Sequence, residues 1–244
     1  MTLKNLFLFL CFVCLFSCSD SSIGKKVTIG VDPNWYPLDF GKQQPYVNGF
    51  IDELLLEISK HSGIRFEKMA GNWDSLYQKL QEKEYDAVLS TLQPSILHLA
   101  HYDASMSLFD LGPVIVASKK RRHPSSSPDG TLVGFVSEEE AILFLHDHPK
   151  ILIRQYDSAP SLLSALSQGL IDQAILDRVT AHAYVTDLFS NDLQVCSAPL
   201  NELGIRFVVL KGAHEETLSK FNHSFTYLKK KKRIQALLKK WELL

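Results

Sequence analysis

The chain has 244 residues, 45% of them hydrophobic and 22% charged, so its length and apolar content allow a core that holds itself together. Lysine and arginine number 26 against 27 acidic residues, a net charge of −1 that implies no strongly charged partner and argues against nucleic acid.

Lys4 precedes an uncharged apolar stretch from Leu6 to Phe16, the layout of a signal peptide. The stretch is shorter than the ~20 residues that a membrane-spanning helix needs. Leu15-Phe16-Ser17-Cys18 resembles the bacterial lipobox, in which a small residue precedes a cysteine that is lipidated and becomes the new N-terminus, although Phe16 is larger than usual there. Residues 1–18 therefore read as a lipoprotein signal peptide ending at Cys18, and 19–24 as a polar tether. Cys11 and Cys14 lie in the apolar run, so Cys196 is the one ordinary cysteine of the mature body and no internal disulfide is expected.

Val27, Ile29 and Val31 alternate as a strand that ends at Asp32, with loop chemistry following at Pro33 and Pro37. From Phe50, the residues Ile51, Leu54, Leu55 and Ile58 recur at helical spacing until Gly63. Ile64 to Phe66 reads as a strand, Trp73 opens a helix carrying Leu76 and Leu80, and Tyr85 to Leu89 reads as the next strand. Such alternation predicts an α/β fold with a mainly parallel sheet covered on both faces. After the polar stretch Lys119 to Gly130 the plan resumes, with a strand at Leu132–Val136 and a helix at Ser137–Phe144. A second helix spans Ser158–Leu166 and a strand Ala174–Leu176. Leu80 stands six positions before Asp86 and an apolar strand, and Leu166 stands six before Asp172 and another, a match that fits two lobes on one plan. Arg206 to Leu210 is a last strand. The basic run Lys229–Arg233 reads as a solvated helix face, because Ile234, Leu237, Leu238 and Trp241 continue it with helical spacing. His146 and His148 lie two apart and do not share a helix face, so no metal pair is read there.

Three stretches carry a family likeness: Gly49-Phe50; Trp73-Asp74 with Leu76, Leu80 and Tyr85-Asp86-Ala87; and Tyr156-Asp157-Ser158 leading through Leu166, Gly169 and Asp172 to Asp177. In order and spacing they resemble the family 3 extracellular solute-binding proteins, which capture polar amino acids and related solutes for ABC importers. The resemblance implies a two-lobed type II periplasmic-binding-protein fold whose mostly parallel sheets are flanked by helices and joined by two crossing hinge strands. Residues 25–115 plus 204–244 would form lobe 1 and 116–203 lobe 2. With the lipobox-like stretch ending at Cys18, it further implies a lipid-anchored monomer in the periplasm or at the cell surface, an ABC importer permease as partner, no cofactor or metal, and no enzymatic activity. The ligand would sit between the lobes, at strand ends and helix starts.

On the same resemblance, Asp32 and Trp35 match the acidic and aromatic positions after the first strand, and Trp73 a second aromatic across the ligand. Ser90 and Thr91 match the strand end that holds the ligand's carboxylate and ammonium, and Asp177 the acid that pairs with its α-amino group. Asp177 also reads as a helix N-cap for the run beginning at Arg178. Three positions depart from the family. His98 stands where an arginine grips the ligand's α-carboxylate, and imidazole offers at most two divergent donors. Gln93 replaces a small hydroxyl residue and would reach toward the carboxylate or narrow the pocket. Ser137-Glu138-Glu139-Glu140 replaces a glycine-threonine turn, so Ser137 either contacts ligand or caps its helix in a capping box with Glu140. Competing readings are a dehydratase or cell-wall lyase on the same fold, and a surface lipoprotein that has lost ligand binding.

Overall fold

A computed structural model of the protein describes residues 24–36, 38, 40–91, 101–120 and 129–244. Strand β1, Lys26–Val31, buries Val27, Ile29 and Val31, and is followed by helix α1, Gln44–Ser62. The helix starts six residues before Phe50 because Pro45 suits its first turn, and Val47 joins the buried face with Phe50, Ile51, Leu54, Leu55 and Ile58. Gly63 ends it in the left-handed region, φ 71°, its N–H returning to Ser59 O. Next come β2 (Arg65–Ala70), α2 (Trp73–Gln81), β3 (Ala87–Ser90), β4 (Tyr102–Ala104), β5 (Phe109–Asp110) and β6 (Pro113–Ser118). The chain continues through β7 (Leu132–Phe135), α3 (Glu138–Asp147), β8 (Leu152–Gln155), α4 (Ala159–Ser167), β9 (Gln173–Asp177), α5 (Arg178–Asp187) and β10 (Leu193–Val195). It ends with β11 (Gly204–Leu210), α6 (Glu215–Lys230) and α7 (Arg233–Lys240).

The strands divide between two sheets. The first runs β2-β1-β3-β11-β4, with β5 also paired to β11, and the second β10-β6-β9-β7-β8. Both are mixed, which corrects the mainly parallel expectation. Helical crossovers make β1 parallel to β2 and β3, and β7 parallel to β8 and β9. Strands β11 and β6 instead enter directly from the other sheet, so they run antiparallel to β3 and β9. The two helix-strand passages share a local device. Asp86 accepts from Thr28 N at 2.7 Å and its own N–H donates to Thr28 O; Asp172 accepts from Leu132 N at 2.8 Å and donates to Leu132 O. Each aspartate thereby pins the start of its strand to the neighbouring parallel strand.

One apolar cluster packs α1, α6 and α7 on the first sheet, around Phe50, Phe207 and Phe221. Another gathers Leu162, Leu163 and Leu166 of α4 against Val114, Ala174 and Leu176 of the second. Ile234, Leu237 and Leu238 are buried as expected, while Lys229 to Arg233 are exposed. Among the described residues, no helix is long and apolar enough to cross a membrane.

Two segments join the sheets, Asp110 to Pro113 and Leu200 to Gly204, and they are bonded to each other. Leu111 N and Gly112 N donate to Leu203 O at 2.8 and 3.2 Å, and Leu200 N donates to Pro113 O at 2.8 Å. Strand β6 straddles the boundary at residue 115 expected from the sequence and lies wholly in the second sheet. Close approach explains the glycine at the second crossing. A Cβ on Gly204 would sit 2.2 Å from Ser107 Oγ and 2.8 Å from the backbone oxygen of Phe109. Gly204→Ala is therefore expected to cost about 1–3 kcal/mol in urea unfolding, the usual penalty of overpacking; an unchanged midpoint would refute this reading of the crossing.

Candidate ligand-binding cleft

The site starts where β1 and β2 end. Asp32 follows β1 directly and is 7% exposed; its Oδ1 accepts from Asn34 N at 2.9 Å, while Trp35 N donates to Asp32 O at 3.1 Å. These bonds fold Pro33 and Asn34 into a tight turn and leave the second carboxylate oxygen of Asp32 without a partner among the described residues. Beside it, Gly71 N donates to Val31 O and Asn72 caps α2 by accepting from Asp74 N at 3.1 Å. This places Trp73 at the first position of the helix. The resulting cavity of about 700 Å³ is lined by Asp32, Asn34, Tyr36, Asn72, Trp73 and Lys79, among others. The exposed start of a helix and the carboxyl ends of strands meet here, as in open α/β sheets that bind solutes.

Trp73 lines this cavity, and Trp35 does not. Trp35 has a left-handed backbone, φ 60°, is 2% exposed, and belongs to the core over the first sheet. Its indole N–H donates to Asn48 Oδ1 on α1 at 2.6 Å. The positive φ turns the next residue outward instead: Tyr36 is 58% exposed and meets Trp73 edge-on, with ring centroids 6.0 Å apart. The aromatic pair of the cavity is Tyr36 and Trp73.

Ser90 and Thr91 stand at the end of β3, both buried. Ser90 Oγ accepts from Tyr77 OH at 2.6 Å, and burial pushes the Tyr77 phenol well above its ordinary range. Tyr77 lies one turn beyond Trp73 and meets it edge-on at 6.4 Å, so α2 presents Trp73 and Tyr77 together. Thr91 Oγ1 is buried with no partner among the described residues. Gln93, His98 and Cys18 lie outside the described residues.

From the second sheet, Asp177 ends β9 opposite Pro113, at the foot of a crossing. Its Oδ1 accepts from Thr180 N at 2.9 Å, so the capping role weighed from the sequence is present. Its other oxygen has no partner among the described residues. Ser137 occupies the N-cap position of α3 without a side-chain capping bond, so the expected capping box is not formed by its hydroxyl.

The chain matches the bacterial extracellular solute-binding proteins, family 3, over residues 27–243. It belongs to that family. It is 24% identical over 217 residues to the L-cystine-binding protein TcyJ of Escherichia coli, covering 87% of this chain and 81% of that one. It is also 24% identical over 241 residues to the arginine-binding extracellular protein ArtP of Bacillus subtilis, covering 93% and 92%. Among solved structures, the L-cystine solute receptor of Neisseria gonorrhoeae, unliganded and open, superposes with a TM-score of 0.68 at 19% identity over 89% of this chain and 93% of that one. The fold is that of type II periplasmic binding proteins, and this family 3 member is an extracytoplasmic solute-binding protein, not an enzyme.

A second cavity of about 600 Å³ lies between the turn Phe40–Gln43 on the first-sheet side and Pro160, Thr180, Tyr184 and Asp187 on the second. Arg178 reaches across from α5 to β5, donating to Asp110 O at 3.4 Å and lying 5.7 Å from the Phe109 ring centroid. Burial lowers the pKa of Arg178, and the Asp110 carboxylate opposes that. His182, one turn along α5, is held below its ordinary value by burial and then by the Arg178 charge. Burial raises the Cys196 thiol to about 11, so it stays protonated at neutral pH. Among the described residues, no group of three His, Cys, Asp or Glu side chains is arranged to hold a metal.

Proposed function

We propose that this protein captures an amino acid or a closely related polar solute between two lobes and delivers it to the permease of an ABC importer. Lobe 1 comprises residues 25–112 and 204–244, lobe 2 residues 113–203, and the protein acts as a monomer. The observation that carries the reading is the pairing of chemistries at strand ends. Asp32 and the Tyr36–Trp73 wall come from the first lobe, and Asp177, with one carboxylate oxygen that has no partner among the described residues, from the second. Asp177 takes the solute's ammonium, and Ser137 Oγ, unused in capping, is available from the same lobe. Tyr36 and Trp73 cover its side chain, and Asp32 favours a polar or cationic group on it. The relatives' ligands, L-cystine and arginine, are α-amino acids with polar or cationic side chains.

Thermal unfolding with a panel of L-amino acids tests this. A true ligand at a hundred times its dissociation constant should add about 2.7 kcal/mol of stability. Asp177→Asn should weaken that ligand by about 10- to 100-fold, as expected for loss of a charge-assisted bond. A panel without any shift would contradict the reading.

The same proposal places the protein at a membrane through a lipid on Cys18. Metabolic labelling with an alkyne fatty acid should mark the wild type and fail in Cys18→Ser, and equal labelling of both would rule the anchor out.

A further inference from the structure

The basic run between α6 and α7 stays unneutralised in the fold. Lys229, Lys230, Lys231 and Lys232 are all exposed, and among the described residues none of them meets a carboxylate. The acids of α1 on this side are already engaged: Glu57 holds Lys60 at 3.1 Å and Arg233 at 3.3 Å, and Glu53 holds Lys240 at 2.6 Å. The run also works against the helix it opens. Lys232, at φ 56°, takes a left-handed backbone that costs a lysine energy. Helix α7 begins with Lys232 and Arg233 and has no acid in its first turn, the reverse of what its dipole favours. Solubility alone would be served by charges of both signs.

Contacts place this corner beside the point where the chain enters the first sheet. Lys231 Nζ lies 5.8 Å from the Tyr227 ring centroid, and Tyr227 stacks at 4.3 Å on His61, in the last turn of α1. Just beyond that turn, Arg65 N donates to Lys25 O at 3.1 Å, which brings in Lys25 and Lys26, both exposed. The corner is the pole of lobe 1 opposite the cleft. Helix α1 starts at the cleft, where Gln44 Nε2 donates to Pro33 O at 3.0 Å, and at 1.5 Å per residue it reaches this pole about 28 Å away.

We propose that this pole is a docking surface for the anionic headgroups of a membrane, seating lobe 1 on the lipid and turning the cleft away from it. The length of chain ahead of the fold favours that occupant. Six peptide steps separate Cys18 from Gly24 and span at most about 20 Å, so a lipid on Cys18 keeps the pole within reach of headgroups. Each lysine near an anionic bilayer strengthens binding about fivefold, within a Debye length of roughly 8 Å. Tyr227, 42% exposed among these cations, adds an aromatic ring with a polar tip, the side chain suited to a headgroup layer. The orientation rests on the proposed Cys18 anchor, whereas the seat itself rests on the folded pole.

Vesicle flotation of the lipid-free body, residues 19–244, which holds every described strand and helix, tests the seat. The body should float with phosphatidylcholine containing about one-third phosphatidylglycerol and not with phosphatidylcholine alone. Salt at about 1 M, where the Debye length falls to about 3 Å, should release it. Lys229→Gln, Lys230→Gln and Lys231→Gln together should weaken vesicle binding about 100-fold. Lys119→Gln, Lys120→Gln and Lys150→Gln together make the same charge change on lobe 2 and should leave it unaltered. Both variants should keep the thermal response to amino acids, which separates this seat from the solute-binding reading. No flotation with the anionic vesicles, or equal loss in the two variants, would overturn the seat while leaving both solute binding and the lipid on Cys18 standing. Binding to DNA in place of the vesicles would overturn it in favour of a soluble polyanion.

Discussion

Leu203 O accepts from the amides of both Leu111 and Gly112, and this junction, together with the Leu200–Pro113 bond, is what the rest of the structure depends on. Among the described residues, the chain crosses between sheets along these two adjacent segments, so each sheet gains a strand that runs against its neighbours. The crossings also set what lies at the cleft. Asp177 is registered against Pro113, and Gly204 opens β11.

The binding chemistry follows from strand direction. Parallel strands β1, β2 and β3 all point their carboxyl ends at the cleft, so each delivers a loop there: Asp32 with Tyr36, Asn72 with Trp73, and Ser90 with Thr91. Acid, aromatic and hydroxyl groups thus come from the ends of three strands.

Much of the scaffold was legible because its causes are local. Alternation in β1, the helical spacing around Phe50 and the six-residue offset from Leu80 to Asp86 and from Leu166 to Asp172 each reflect contacts made within a short stretch. The structure gives that offset a meaning, since both aspartates tie a strand start to its parallel neighbour. Strand direction in β6 and β11 was not legible, because it is decided by where the chain arrives from and not by its side chains. The choice between Trp35 and Tyr36 was hidden for a different reason: two adjacent aromatics differ only by a left-handed backbone at the first and by an acceptor thirteen residues away at Asn48. Asp32, Trp73 and Asp177 could be named from the family resemblance, and the structure sets each at a strand end or helix start.

The central claim is that two lobes close on a solute bound between them. Small-angle X-ray scattering, without ligand and with the amino acid that most raises thermal stability, measures this directly. The account predicts a smaller radius of gyration and a changed scattering profile on saturation. An unchanged profile at saturating ligand would contradict it.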